Sequence, residues 1–159
     1  MKKIQGKKRT LIIDDTYNSS PEAVKTALEA LSNIHFGKRK IAVLGDMLEL
    51  GKGSQEFHRE IGRFISKLNI DFILAFGKEA KYISEEAAKN GVSQNKVFWF
   101  RQLPDIIEFI NNLIDAGDIL LIKGSRGMKM EKIVQGIMLK PTESKELLVG
   151  NDNYNQQKN

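Results

Sequence analysis

The chain has 159 residues, of which 41% are hydrophobic, and a net charge of +5. That is enough apolar material for one domain with its own core and too much for a globally disordered chain. The absence of cysteine excludes disulfide scaffolds, thiolate chemistry and cysteine-ligated zinc, and no apolar run is long enough to cross a bilayer.

The first nine residues carry Lys2, Lys3, Lys7, Lys8 and Arg9 and no acid. A basic arm can bind nucleic acid, but a short edge strand whose lysines discourage pairing with another chain explains it better. Both signs mix elsewhere, and no basic helix face with interleaved aromatics follows. Neither nucleic-acid binding nor membrane insertion is expected. No signal-peptide apolar region follows the basic start, because charge returns at Asp14. A cytoplasmic setting is the default.

Residues 10–14 read as the first buried strand. A helix over residues 21–33 follows, with Ser20 as N-cap, Pro21 at its first position and Val24, Leu28 and Leu31 on one face. The second strand is 40–44 and the second helix 54–68, with Phe57, Ile61, Phe64, Ile65 and Leu68 spaced for burial. Strand 72–76 leads to a helix over 79–90, closed by Asn90-Gly91. Strand 96–98 leads to a helix over 104–116, and strand 119–122 to a helix over 129–139. Ile41-Ala42-Val43-Leu44 and Ile119-Leu120-Leu121-Ile122 are apolar at every position, as in strands covered on both faces. The unbroken alternation predicts an α/β fold: an open, mainly parallel sheet with helices on both faces. The first residues are available as an antiparallel edge strand. One domain is expected over residues 1–140, and a polar, disordered tail over 141–159.

The carboxyl ends of parallel strands share one rim, where ligands bind in such folds. The first rim loop packs Asp14, Asp15, Tyr17, Asn18 and Ser19 between a strand end and a helix start, whose free N–H groups suit phosphate. Helix capping explains Ser20 and Pro21 but not Asp14, Asp15, Tyr17 or Asn18. The second loop, 45–51, puts Asp46 at a strand terminus. A carboxylate there can bind a ribose hydroxyl, a metal or a ligand ammonium, or can be only a helix cap or turn acid. Glu49 lies on the same loop. The third loop joins Lys123, a point charge, to Ser125 and Arg126, with Gly124 and Gly127 allowing close approach to an anion. An ordinary strand-to-helix turn with solvated charges explains it equally well. Gly77-Lys78 is a weaker fourth. The lone histidines His35 and His58 are assigned no catalysis, and Phe98-Trp99-Phe100 reads as sheet and core rather than a stacking platform. The chain contains no G-x-x-x-x-G-K-[ST] loop and no G-x-G-x-x-G after its first strand. It therefore lacks a Walker-type phosphate site, and classical NAD binding is not expected.

Four stretches in this order carry a resemblance: Asp14-Asp15-Thr16-Tyr17-Asn18, Gly45-Asp46-Met47-Leu48-Glu49-Leu50-Gly51, His58-Arg59-Glu60-Ile61-Gly62 and Lys123-Gly124-Ser125-Arg126-Gly127-Met128-Lys129. Together they resemble the C-terminal domain of the Mur ligases of bacterial cell-wall synthesis. The second and fourth point to the branch that adds D-alanyl-D-alanine. The resemblance runs from about residue 4 to residue 137, with Ser19 and Ser20 where the family often has Ala-Asn.

The resemblance implies a Rossmann-like third domain of an ATP-dependent ligase. The N-terminal domain would hold the UDP end of UDP-N-acetylmuramoyl-tripeptide, and the central domain would carry the P-loop and Mg2+. ATP would phosphorylate the tripeptide's terminal carboxylate, and the amine of D-alanyl-D-alanine would displace phosphate. It further implies that Asp15 holds the ATP ribose, with Tyr17 and Asn18 beside the adenine and phosphates. Lys123, Ser125 and Arg126 would face the incoming dipeptide, with Arg126 on its carboxylate and Asp46 and Glu49 near its ammonium. No catalytic group and no metal ligand is expected on this domain. Alone it would be inactive, as an excised or separately expressed domain or a truncated product. A stand-alone nucleotide-binding or regulatory module of flavodoxin-like topology is the alternative, and a basic-tailed interaction protein is a third.

Overall fold

The structure is a computed structural model that describes residues 1–143 and Leu148. Its strands are β1 (Lys2–Gln5), β2 (Leu11–Asp15), β3 (Lys40–Gly45), β4 (Phe72–Phe76), β5 (Val97–Phe100) and β6 (Ile119–Lys123). Its helices are α1 (Pro21–Ser32), α2 (Ser54–Ile65), α3 (Lys81–Lys89), α4 (Leu103–Leu113) and α5 (Glu131–Ile137). The strands make one six-stranded sheet in the order β1-β2-β6-β3-β4-β5. All neighbours are parallel except β1, which pairs antiparallel with β2 at the edge. The sheet is therefore α/β and mainly parallel, and its order differs from the 2-1-3-4-5 of flavodoxin-like folds.

Alternation along the central strands divides the core. Ile12, Ile41, Val43, Leu74, Leu120 and Ile122 meet α4 and α5 on one face. Ile13, Ala42, Leu44, Ile73, Ala75 and Leu121 meet α1, α2 and α3 on the other. The chain leaves β6 toward one face and leaves β2 and β3 toward the other. Crevices therefore open on both sides of the β6 carboxyl end, the position at which open α/β sheets bind ligands. Register brings the relevant residues level: Asp15 lies opposite Lys123, and Lys123 opposite Leu44.

The basic N-terminal arm is spent on the fold. Lys7 Nζ donates to the Gly136 carbonyl at 2.7 Å, and Lys8 Nζ to those of Asn111 and Ile114 at 2.9 and 3.0 Å. These are the unsatisfied carbonyls at the ends of α5 and α4, where a cation is favoured. At the amino end of the sheet Asp118 is fully buried. Arg39 reaches it through Nε (2.9 Å to Oδ1) and Nη2, and also donates to the Leu113 carbonyl at 2.9 Å. The hydrogen bond to Asp118 raises the Arg39 pKa above its ordinary value, against the lowering effect of burial.

Two expectations need correction. Phe57 is 39% exposed, and its neighbour His58 is fully buried with Ile61, Gly62 and Ile65. Burial of His58 is tolerated because both ring nitrogens are hydrogen-bonded, while Phe57 folds over Gly53, where an added Cβ would stand 2.9 Å from its ring. Helices α2 and α5 are shorter than the apolar pattern suggests. Lys129, with φ of 53°, turns the chain left-handed before α5. Pro141–Glu143 forms a short turn and Leu148 is buried against the α4–α5 face. The rest of the expected disordered tail lies outside the described residues. Among the described residues no helix is long and apolar enough to cross a membrane.

Candidate functional site

Three loops converge around the end of β6, and Lys123 is the knot. It ends a strand buried at every position, so its side chain is only 3% exposed. Its Nζ donates to Asp15 Oδ2 and to the Asn18 carbonyl, each at 2.7 Å. One ammonium thus fixes the whole β2–α1 loop. Beneath it, fully buried Asp14 accepts from the Thr16 N–H (3.2 Å) and hydroxyl (2.7 Å) through Oδ1. That turn brings Tyr17 to the rim. The exposed Arg126 guanidinium stacks over the Tyr17 ring at 5.4 Å. The loop ends as the sequence predicts: the Ser20 hydroxyl accepts from the Ala23 N–H at 3.2 Å and starts α1. Next to it Ser19 Oγ is shielded from solvent with no hydrogen-bond partner among the described residues.

The β3 loop is held from two sides. Asp46, 5% exposed, accepts from the Glu79 and Ala80 N–H groups through Oδ1 (3.0 and 2.6 Å) and from Lys78 N–H through Oδ2 (3.1 Å). These are orphan donors just ahead of α3. Gly77 permits the arrangement: its φ is +124°, and a Cβ there would come within 2.3 Å of Asp46 Oδ1. Of the roles the sequence leaves open for Asp46, the geometry shows the cap. A ligand ammonium would have to compete with three backbone donors for a buried carboxylate.

On the other side, His58 Nδ1 lies 2.6 Å from the Ser54 carbonyl and Nε2 accepts from the Met47 N–H at 3.0 Å. Nδ1 therefore carries the proton. The next amide, Leu48 N–H, donates to Ser125 Oγ at 2.9 Å, and the Ser125 N–H donates to the Asp46 carbonyl at 3.2 Å. Glu49 follows in a left-handed conformation with φ of 64°. It lies on the exposed wall of a groove of about 380 Å3 that includes Leu48, Lys52, Gln55 and Glu79.

Asp15, Tyr17, Asn18, Lys123 and Arg126 therefore form one cluster, and Ser125 and Asp46 join it to the β3 loop. Glu49 faces the groove instead. Of the two glycines expected to admit an anion, Gly127 faces Leu48, 2.8 Å from where its Cβ would stand, and Gly124 serves packing, as does Gly45 on the adjacent strand. A Cβ on Gly124 would stand 2.7 Å from Met130 Cγ, and one on Gly45 2.8 Å from Met130 Sδ. His58 was not assigned to the site from sequence. The signal was its place three and seven residues before Ile61 and Ile65, on the buried face. Among the described residues no group of three or more histidines and carboxylates is arranged to hold a metal ion.

Comparison with known proteins matches this architecture. The family model described as "Mur ligase, glutamate ligase domain" covers residues 1–126. The UDP-N-acetylmuramoyl-tripeptide--D-alanyl-D-alanine ligase of Bacillus subtilis strain 168 is 37% identical over 130 residues, 82% of this chain and 28% of that protein. The ligase of the same name from Rickettsia prowazekii is 35% identical over 132 residues, 83% of this chain and 28% of its own length. Among solved structures, the MurF ligase from Thermotoga maritima in complex with ADP superposes with a TM-score of 0.67 and 33% identity, over 90% of this chain and 30% of that one. A MurF structure from Acinetobacter baumannii gives 0.67 and 32% over 82% of this chain and 28% of its own. The chain thus spans about 28% of the length of the curated relatives it matches.

Proposed function

Since the chain belongs to the family of Mur ligase C-terminal domains, we propose that it serves an ATP-dependent ligase that joins D-alanyl-D-alanine to UDP-N-acetylmuramoyl-tripeptide. In the whole enzyme, N-terminal and central domains would bind the UDP-linked substrate, the ATP phosphates and Mg2+. Mg2+ would neutralise charge on the transferring phosphoryl group. Transfer to the tripeptide carboxylate gives an acyl phosphate and ADP. The dipeptide nitrogen then bonds to the acyl carbon, the carbon–oxygen bond to phosphate breaks, and the nitrogen gives up a proton. This domain orients two of the reactants.

Asp15 takes the ribose hydroxyls, with Tyr17 and Asn18 beside the adenine and phosphates. Arg126 takes the dipeptide carboxylate with its planar fork, next to Ser125. Lys123 works by holding Asp15 and Asn18 in place rather than by meeting substrate. Glu49 faces the dipeptide ammonium, and Asp46 shapes the loop that carries Glu49. The observation that carries this reading is the Lys123 bridge, 2.7 Å to each partner, which ties the nucleotide loop to the strand that launches the dipeptide loop. The ADP complex of the Thermotoga relative supports the nucleotide half. The sheet order tells against a flavodoxin-like module.

Amide-resolved NMR of the chain tests the assignment. ADP should shift Asp15, Tyr17 and Asn18, and D-alanyl-D-alanine should shift Glu49, Ser125 and Arg126. Shifts confined to the opposite end of the sheet, or none with either compound at millimolar concentration, contradict it.

A further inference from the structure

A fully buried histidine whose two ring nitrogens both bond to backbone is a poor core filler and a good strut. A leucine of similar volume would fill the space without the desolvation cost of the ring nitrogens. His58 lies on α2, with Nδ1 2.6 Å from the Ser54 carbonyl at the start of that helix and Nε2 3.0 Å from the Met47 N–H in the β3–α2 loop. The amide after Met47 then bonds Ser125 Oγ at 2.9 Å, and the residue after that is Glu49, at φ of 64°. A left-handed non-glycine residue persists only where its surroundings over-determine the backbone. Here both sides of the loop are fixed: by the imidazole from α2 and by Ser125 from the loop that follows β6.

We infer that His58 is a positioning residue for the groove at the carboxyl end of β3. It clamps Met47 so that Leu48 reaches Ser125 and Glu49 faces the bound dipeptide. The inference rests on the functional reading above for the identity of the ligand, and on the structure alone for the clamp. Lacking the Nε2 acceptor, the Met47 N–H is buried without a partner. The loop then shifts to reach water, the Leu48–Ser125 bond opens, and the groove loses its wall. The nucleotide side is held separately, by Lys123 on Asp15 and Asn18.

Two variants of the chain separate positioning from filling. His58→Gln offers an amide oxygen near the Nε2 position, whereas His58→Leu fills the space without an acceptor. In the unsubstituted chain, nitrogen NMR should show the His58 proton on Nδ1. In His58→Leu the amides of Leu48, Glu49 and Ser125 should move while those of Ile12 and Leu120 stay. D-alanyl-D-alanine should bind about fivefold to tenfold more weakly, the scale of one lost hydrogen bond, with ADP shifts unchanged. His58→Gln should restore the loop amides and most of the dipeptide affinity. Unmoved loop amides in His58→Leu, or a Gln variant as defective as the Leu variant, overturns the inference. If the unsubstituted chain binds neither probe, the functional reading fails. Loop displacement in His58→Leu with rescue by Gln then still supports the clamp.

Discussion

Lys123 is the side chain on which the site's geometry depends most, and its removal is the sharpest perturbation available. Lys123→Met keeps much of the stem volume and deletes the ammonium. That leaves the Asp15 carboxylate without its 2.7 Å partner and the Asn18 carbonyl without its donor. Breaking a buried ion pair by removing one member costs about 3–5 kcal/mol. Asp15 is one-fifth exposed and recovers some hydration, which places the cost lower, at about 2–3 kcal/mol. For a domain of this size that corresponds to a fall of about 4–12 °C in melting temperature. The assay is urea and thermal unfolding followed by circular dichroism and by the fluorescence of Trp99, the single tryptophan. A double-mutant cycle with Asp15→Asn isolates the pair. The double variant should be less destabilised than the sum of the two single variants by about 1 kcal/mol or more. Additive losses, or a Lys123→Met variant as stable as the parent, would show that the ammonium does not hold the loop.

Other outcomes follow from the same geometry. Arg126→Lys keeps the charge and loses the planar fork, so D-alanyl-D-alanine binding should weaken by about tenfold to a hundredfold with ADP binding little changed; equal loss for both ligands would indicate a structural role. Asp46→Ala strips three N–H groups of their acceptor and should lower stability by about 1–3 kcal/mol in urea unfolding. Gly77→Ala should be at least as damaging, because its Cβ would overlap Asp46 at an unfavourable φ. Arg39→Met leaves the fully buried Asp118 carboxyl group with the Asp115 N–H but without its guanidinium partner at the far end of the sheet, costing about 2–3 kcal/mol without altering ADP or dipeptide affinity. The chain by itself should release no phosphate from ATP, measured by a coupled phosphate assay on protein free of contaminating ATPase.

Much of the scaffold was legible because its central strands are buried on both faces and so read as unbroken apolar runs. Helix starts were legible where capping is local: Ser20 and Pro21 sit next to the backbone they organise. What the text hid were partners distant in sequence. Asp46 caps a turn at residues 78–80, so no local pattern distinguishes it from a ligand-binding acid. Lys123 looks like a solvated rim cation, but the central position of β6 buries it and Asp15 neutralises it 108 residues away. The Phe57–His58 exchange is a phase error of one residue. Hydropathy ranks phenylalanine as the core residue, and only the two backbone partners of the imidazole reverse that order. The sheet order was also hidden, because alternation of strand and helix is silent on which strand inserts between β2 and β3. Yet that insertion of β6 is what brings the Tyr17 and Arg126 loops together.

The role proposed for this domain is the dipeptide side of a Mur ligase. The most direct test joins the chain, in place of the matching C-terminal segment, to the remainder of the Bacillus subtilis relative and measures phosphate release from ATP with UDP-N-acetylmuramoyl-tripeptide. Turnover should require D-alanyl-D-alanine and should fall in the Arg126→Lys version through a higher Michaelis constant for the dipeptide. A folded chimera with no turnover, or with phosphate release indifferent to D-alanyl-D-alanine, would contradict that role.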